Sequence, residues 1–160
     1  MFKRRSDRSW RVSWRLRRRL VFTSYRRRDS ADATGRICDR LVRRYGHRRV
    51  IRDVASFPLG VDFRDYIEHI IPQCQVVLAI IGPEWQVSAA TDGRRWLDDP
   101  KDLVGFELAC ALRHGVRVIP VLVGDATIPD ADSLPEALKP IAGLHGVPVR
   151  RDPDFEHDIE

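Results

Sequence analysis

Six consecutive apolar residues, Val76-Val77-Leu78-Ala79-Ile80-Ile81, leave little choice about the kind of sheet this chain can build. A strand with one wet face alternates apolar and polar residues. A run without alternation belongs to a parallel strand covered by helices on both faces. Around this run the chain alternates short apolar segments with stretches of helical periodicity. Strands are expected at 20–24, 50–53, 76–81, 118–123 and 147–149. Helices are expected at about 32–45, from Asp62 to Ile71, through 103–112 and over 134–144. Right-handed crossovers turn such an alternation into an open parallel sheet with helices on both faces. The expected fold class is therefore α/β, a doubly wound sheet of five parallel strands. Pro120 within the fourth strand suggests a place towards a sheet edge.

The helix through Leu103-Val104-Gly105-Phe106-Glu107-Leu108-Ala109-Cys110-Ala111-Leu112 holds a single polar residue, Glu107. Asp99 and Pro100 read as its N-cap and first position, and Gly115 as its stop. The helical neighbours of Glu107 are Leu103, Val104, Cys110 and Ala111, all apolar. A carboxylate so placed must find a partner, take up a proton, or face a cleft where a ligand becomes its partner. By itself this is equally consistent with a structural Glu–Arg pair. What favours a site is convergence. Ligands in doubly wound folds bind at the carboxyl ends of the strands. That edge gathers the turn Tyr25-Arg26-Arg27-Arg28-Asp29-Ser30, the loop Phe57-Pro58-Leu59-Gly60, Trp85 and the start of the Glu107 helix.

Composition narrows the remaining choices. Residues 1–20 hold nine Lys or Arg against Asp7, about +8, so the net +5 of the whole chain leaves the body near −3. The basic character belongs to a segment, 1–19, with the density of a flexible tail, ahead of one domain over 20–160. No specific nucleic-acid partner is expected from it. No apolar run is long enough to span a bilayer, which points to a cytoplasmic protein. Cys38, Cys74 and Cys110 are odd in number and far apart, the pattern of packed free thiols rather than of a disulfide frame or a zinc site. The five histidines form no ligand spacing, so no metal is expected. Glycine-rich phosphate loops, the G-x-G-x-x-G fingerprint, H-E-x-x-H and G-x-S-x-G are all missing. A phosphoacceptor receiver domain is excluded by Arg26-Arg27-Arg28 after the first strand and Gly82-Pro83 after the third, where acids are required.

Three features in order resemble the TIR-domain family. They are Val21-Phe22-Thr23-Ser24-Tyr25-Arg26-Arg27, Arg52-Asp53 leading to Pro58-Leu59-Gly60, and Glu107 ahead of Val118-Ile119-Pro120-Val121. The likeness is to bacterial TIR domains and to NAD-cleaving ones, and it covers roughly 20–159. It implies a flavodoxin-like sheet and one of two functions. One is hydrolysis or cyclisation of NAD+ as substrate, without a further cofactor, with Glu107 catalytic. Tyr25, Arg26, Arg27, Pro58, Gly60, Trp85 and Leu103 would then line the pocket. In cleaving members an aromatic residue often stands four residues before the glutamate; here it is Leu103. The other function is that of a non-catalytic adaptor. Either way the loop Val54–Asp62 would mediate self-association, including filaments, or contact with other TIR domains. The family's last helix is represented only by its first turns, from Pro153 to Glu160.

Overall fold

The computed structural model describes residues 20–52, 59–86 and 95–160. The basic segment 1–19, residues 53–58 and residues 87–94 lie outside the described residues.

Five strands form one sheet: β1 (Leu20–Tyr25), β2 (Val50–Arg52), β3 (Cys74–Ile81), β4 (Arg117–Val123) and β5 (Val147–Val149). Their order is β2-β1-β3-β4-β5 and every pairing is parallel. The expected α/β fold is thus borne out. The chain runs outward from β1 to β2 and then returns past β1 to β3. The switch point lies between β1 and β3, and the crevice at their carboxyl ends is where such a topology places ligands.

The apolar run behaves as its pattern requires. Val77, Ala79 and Ile81 of β3 enter one core, while Leu78 and Ile80 enter the other. The larger core packs α2 (Phe63–Ile70), α3 (Leu103–Arg113) and a 3-10 stretch (Glu136–Gly143) on one face of the sheet. On the opposite face, α1 (Arg27–Tyr45) and the short α4 (Phe155–Asp158) contribute Ile37 and Phe155. Ile67, Ile70, Ile71, Val77, Ile80 and Leu108 are fully buried. Each such side chain contributes roughly 1.5–3 kcal/mol of transfer free energy. Arg64 of α2 stacks over the Phe106 ring of α3 at 4.6 Å and donates to the Pro100 carbonyl, which ties the two helices at the surface.

Several boundaries depart from the sequence expectation. The first helix begins at Arg27, before the expected Asp32, because a turn at its start is joined through Ser30, whose φ of −140° is not helical. There the Ser30 hydroxyl bonds back to the Arg26 carbonyl at 3.3 Å. Asp62 caps α2 as expected, accepting from the amides of Arg64 and Asp65. The segment expected as a helix over 134–144 is 3-10 instead, with Pro140 inside it. β4 is not an edge strand. It pairs with β3 from Arg117 to Leu122, and β5 covers only Val121–Val123, so Pro120 stands in the part that lacks a β5 partner. All three cysteines are free and buried.

Candidate active site

Strand alternation sets up the site. In β1, the hydroxyl of Thr23 bonds to the Ile51 carbonyl and to the Cys38 thiol of α1, so Thr23 faces the α1 side. Tyr25 packs against the core on that same side. Ser24 lies between them and must face the other way, towards α3. Its hydroxyl donates to Glu107 Oε2 at 2.6 Å. Ser24 is 1 % and Glu107 5 % exposed, so this O–H···O bond is made out of water, at a length typical of a hydroxyl on a carboxylate. Glu107 is thereby held in place at the carboxyl end of β1, at the switch point.

Arg26, two residues on, is buried and spent. Its Nη1 and Nη2 donate to Oδ1 and Oδ2 of Asp102, both at 2.8 Å, and its Nε donates to the Trp85 carbonyl, also at 2.8 Å. One guanidinium therefore locks the end of β1 to the turn after β3 and to the first turn of α3. This explains a second correction. The N-cap of α3 is Asp102 and not Asp99, which instead accepts from the amide of Lys101 in the preceding turn. Asp102 Oδ2 accepts from Gly105 N at 3.0 Å while paired to Arg26. Gly105 has to be glycine for this approach: a Cβ there would lie 2.9 Å from Asp102 Oδ2.

The expected lining residues do not all converge. Arg26 is structural, since all its guanidinium nitrogens donate within the protein. Trp85 is 1 % exposed and belongs to the larger core, with the Arg26 guanidinium 5.8 Å from its ring; it packs and offers no open face. Tyr25 is turned to the opposite side of the sheet from Glu107. Arg27 is exposed and opens α1, in a cleft of about 530 Å³ on the α1 side that also holds Arg28, Arg150 and Arg151. Leu103, one turn before Glu107, is 40 % exposed. Gly60 is exposed with φ +78°, beside a fully exposed Leu59. Pro58 lies outside the described residues. Two residues were missed as site residues, Ser24 and Asp102. Period-two alternation through Thr23-Ser24-Tyr25 was the signal that could have found Ser24.

The TIR-domain family profile matches residues 21–160, the whole of the described domain but for its first residue. This chain belongs to the TIR-domain family. No curated relative matches its sequence. Among solved structures, the TIR domains of the activated Roq1 resistosome that directly recognises the pathogen effector XopQ share this fold. Their TM-score is 0.64 at 16 % identity, over 87 % of this chain and 93 % of that one. At that identity the likeness is one of fold.

Proposed function

We propose that this TIR domain cleaves the nicotinamide–ribose bond of NAD+, releasing nicotinamide and leaving ADP-ribose or a cyclised form. The observation that carries the reading is the buried Glu107 carboxylate, fixed by Ser24 at the switch-point crevice. Nicotinamide leaves as a neutral molecule, so no general acid is needed to expel it. What needs stabilising is the positive charge that spreads over the ribose in an oxocarbenium-like transition state. A preorganised carboxylate in a site with little water does this, because its field is weakly screened and it need not reorganise. Ser24 acts as a positioning residue for that carboxylate. Of the two arginines expected to meet the pyrophosphate, Arg26 is committed to Asp102 and the Trp85 carbonyl, and Arg27 is exposed at the start of α1. Self-association would proceed through the loop containing Leu59 and Gly60, in a cytoplasmic signalling or defence role. The likeness to domains of a resistosome supports assembly. Three buried free thiols suit a reducing compartment.

A second reading rests on the exposed Leu59, which offers apolar surface to a neighbour whether or not chemistry follows. In it the domain is an adaptor and Glu107 is structural. Incubation of the protein with NAD+, at concentrations that permit assembly, separates the two. Chromatography should find nicotinamide accumulating with time. If none is released while light scattering shows assembly, the adaptor reading replaces the enzyme.

A further inference from the structure

Opposite the site, at the carboxyl end of α3, three ligating side chains meet that the chemistry at Glu107 does not use. Cys110 and His114 stand four residues apart, on one face of the helix end. Glu68 reaches them from α2. The Cys110 thiol donates to Glu68 Oε2 at 3.7 Å, and His114 Nε2 lies 3.5 Å from the same oxygen. Sulfur, imidazole nitrogen and carboxylate oxygen all lie within 4.8 Å of one another.

Those spacings have a meaning for a metal. Zinc binds sulfur at about 2.3 Å and nitrogen or oxygen at about 2.0–2.2 Å. Two ligands on a tetrahedral zinc are then roughly 3.3–3.6 Å apart, by the geometry of those bond lengths. The two pairs around Glu68 Oε2 already stand close to that spacing, and a small closing movement of exposed side chains completes it. Glu68 and His114 side chains are 39 % and 38 % exposed, so an ion can enter between them, while Cys110 is buried beneath. The other carboxylate oxygen, Glu68 Oε1, accepts from Arg113. This fixes the carboxylate with Oε2 turned to the cysteine and histidine, as outer-shell partners of metal ligands do. The partial negative charge at the end of α3 favours a cation there.

We propose that Glu68, Cys110 and His114 form a zinc site, with water in the fourth position. Sulfur with imidazole and carboxylate selects a tetrahedral, borderline-soft ion over magnesium or calcium. Binding forms the Cys110 Sγ–Zn²⁺ bond and releases the thiol proton to solvent. Burial pushes the Cys110 thiol up to about 11, so the metal has to displace a firmly held proton. The bound ion would join α2, which follows the Leu59–Asp62 loop, to α3, which carries Glu107. The sequence expectation of no zinc site followed from widely spaced cysteines. It could not anticipate Glu68, which lies 42 residues from Cys110.

The test uses the full chain, stripped with a chelator and titrated with Co²⁺ and then Zn²⁺. A thiolate-to-cobalt charge-transfer band should appear, saturate near one ion per chain, and bleach as zinc displaces cobalt. Cys110→Ser should abolish the band and Cys38→Ser should keep it. His114→Ala replaces an exposed residue and so tests the site even if Cys110→Ser fails to fold. It should weaken zinc binding by more than the roughly 10–100-fold that loss of an outer-shell partner costs. Absence of the band in the wild type, or a band of equal affinity in both His114→Ala and Glu68→Gln, would show an ordinary hydrogen-bonded cluster and overturn the proposal.

Discussion

The two ends of α3 treat charge in opposite ways. At its amino end, Asp102 is 8 % exposed and makes a two-point ion pair with Arg26 while capping the helix through Gly105 N. At its carboxyl end, Glu68 and Arg113 pair at the surface, with side chains 39 % and 55 % exposed. The buried pair is worth little as a net gain over apolar packing, yet removing one partner strands the other without water. The surface pair never leaves solvent and has little to lose. The amino end is therefore rigid, and it is the end beside Glu107. What this teaches is that Arg26, expected to line the substrate pocket, is architectural, and that its pair with Asp102 builds the place where a second carboxylate can be held.

The sharpest way to break the contrast is Arg26→Ala. It leaves Asp102 buried and unpaired and the Trp85 carbonyl without its donor, and should cost about 3–5 kcal/mol of unfolding free energy. Urea unfolding measures it, and a loss below 1 kcal/mol would mean that the pair is already hydrated. Gly105→Ala comes next. Its Cβ would press on an Asp102 that Arg26 holds in place. The helix-propensity gain of about 1 kcal/mol should be reversed into a net destabilisation of about 1–2 kcal/mol. A more stable Gly105→Ala protein would show that Asp102 is free to move.

The smallest effect belongs to the carboxyl end. Arg113→Ala, measured with a chelator present, should change stability by no more than about 0.5–1 kcal/mol. The Arg113 guanidinium holds the Glu68 carboxyl below its ordinary value. The sign follows: this contribution is present above the unfolded carboxyl pKa, near 4, and fades as the pH falls below it. The wild type and Arg113→Ala should therefore converge in acid. A difference that grows in acid would contradict the pairing.

Local physics was legible in the sequence and long-range pairing was not. The unbroken run in β3 announced a strand buried on both faces, and Asp62 announced its helix start, because both signals lie within a few residues. Asp99 lost the capping role to Asp102 because Arg26, 76 residues away in sequence, selects the latter. Trp85 read as a lining residue because an aromatic in a long loop looks available. The Arg26 bond to its carbonyl and the core around its ring place it inside instead. Tyr25 and Ser24 show the reverse case. Strand alternation alone puts them on opposite faces, so the serine opposite Glu107 was readable from β1. Glu107 itself stood out for the right physical reason, an isolated acid on an apolar helix, although its hydroxyl partner is 83 residues distant.

The central claim is that the Glu107 carboxylate, held by Ser24, stabilises charge on a ribose. The most direct measurement is the rate of nicotinamide release from NAD+ by Glu107→Gln beside the wild type, at matched concentration and with both melting curves recorded. The substitution keeps shape and a hydrogen-bonding oxygen for Ser24 but removes the charge. Turnover should fall by at least about 10²-fold, the scale of losing one preorganised electrostatic contact, while the melting midpoint stays close to that of the wild type. A Glu107→Gln protein that keeps its fold and releases nicotinamide at the wild-type rate would contradict the account.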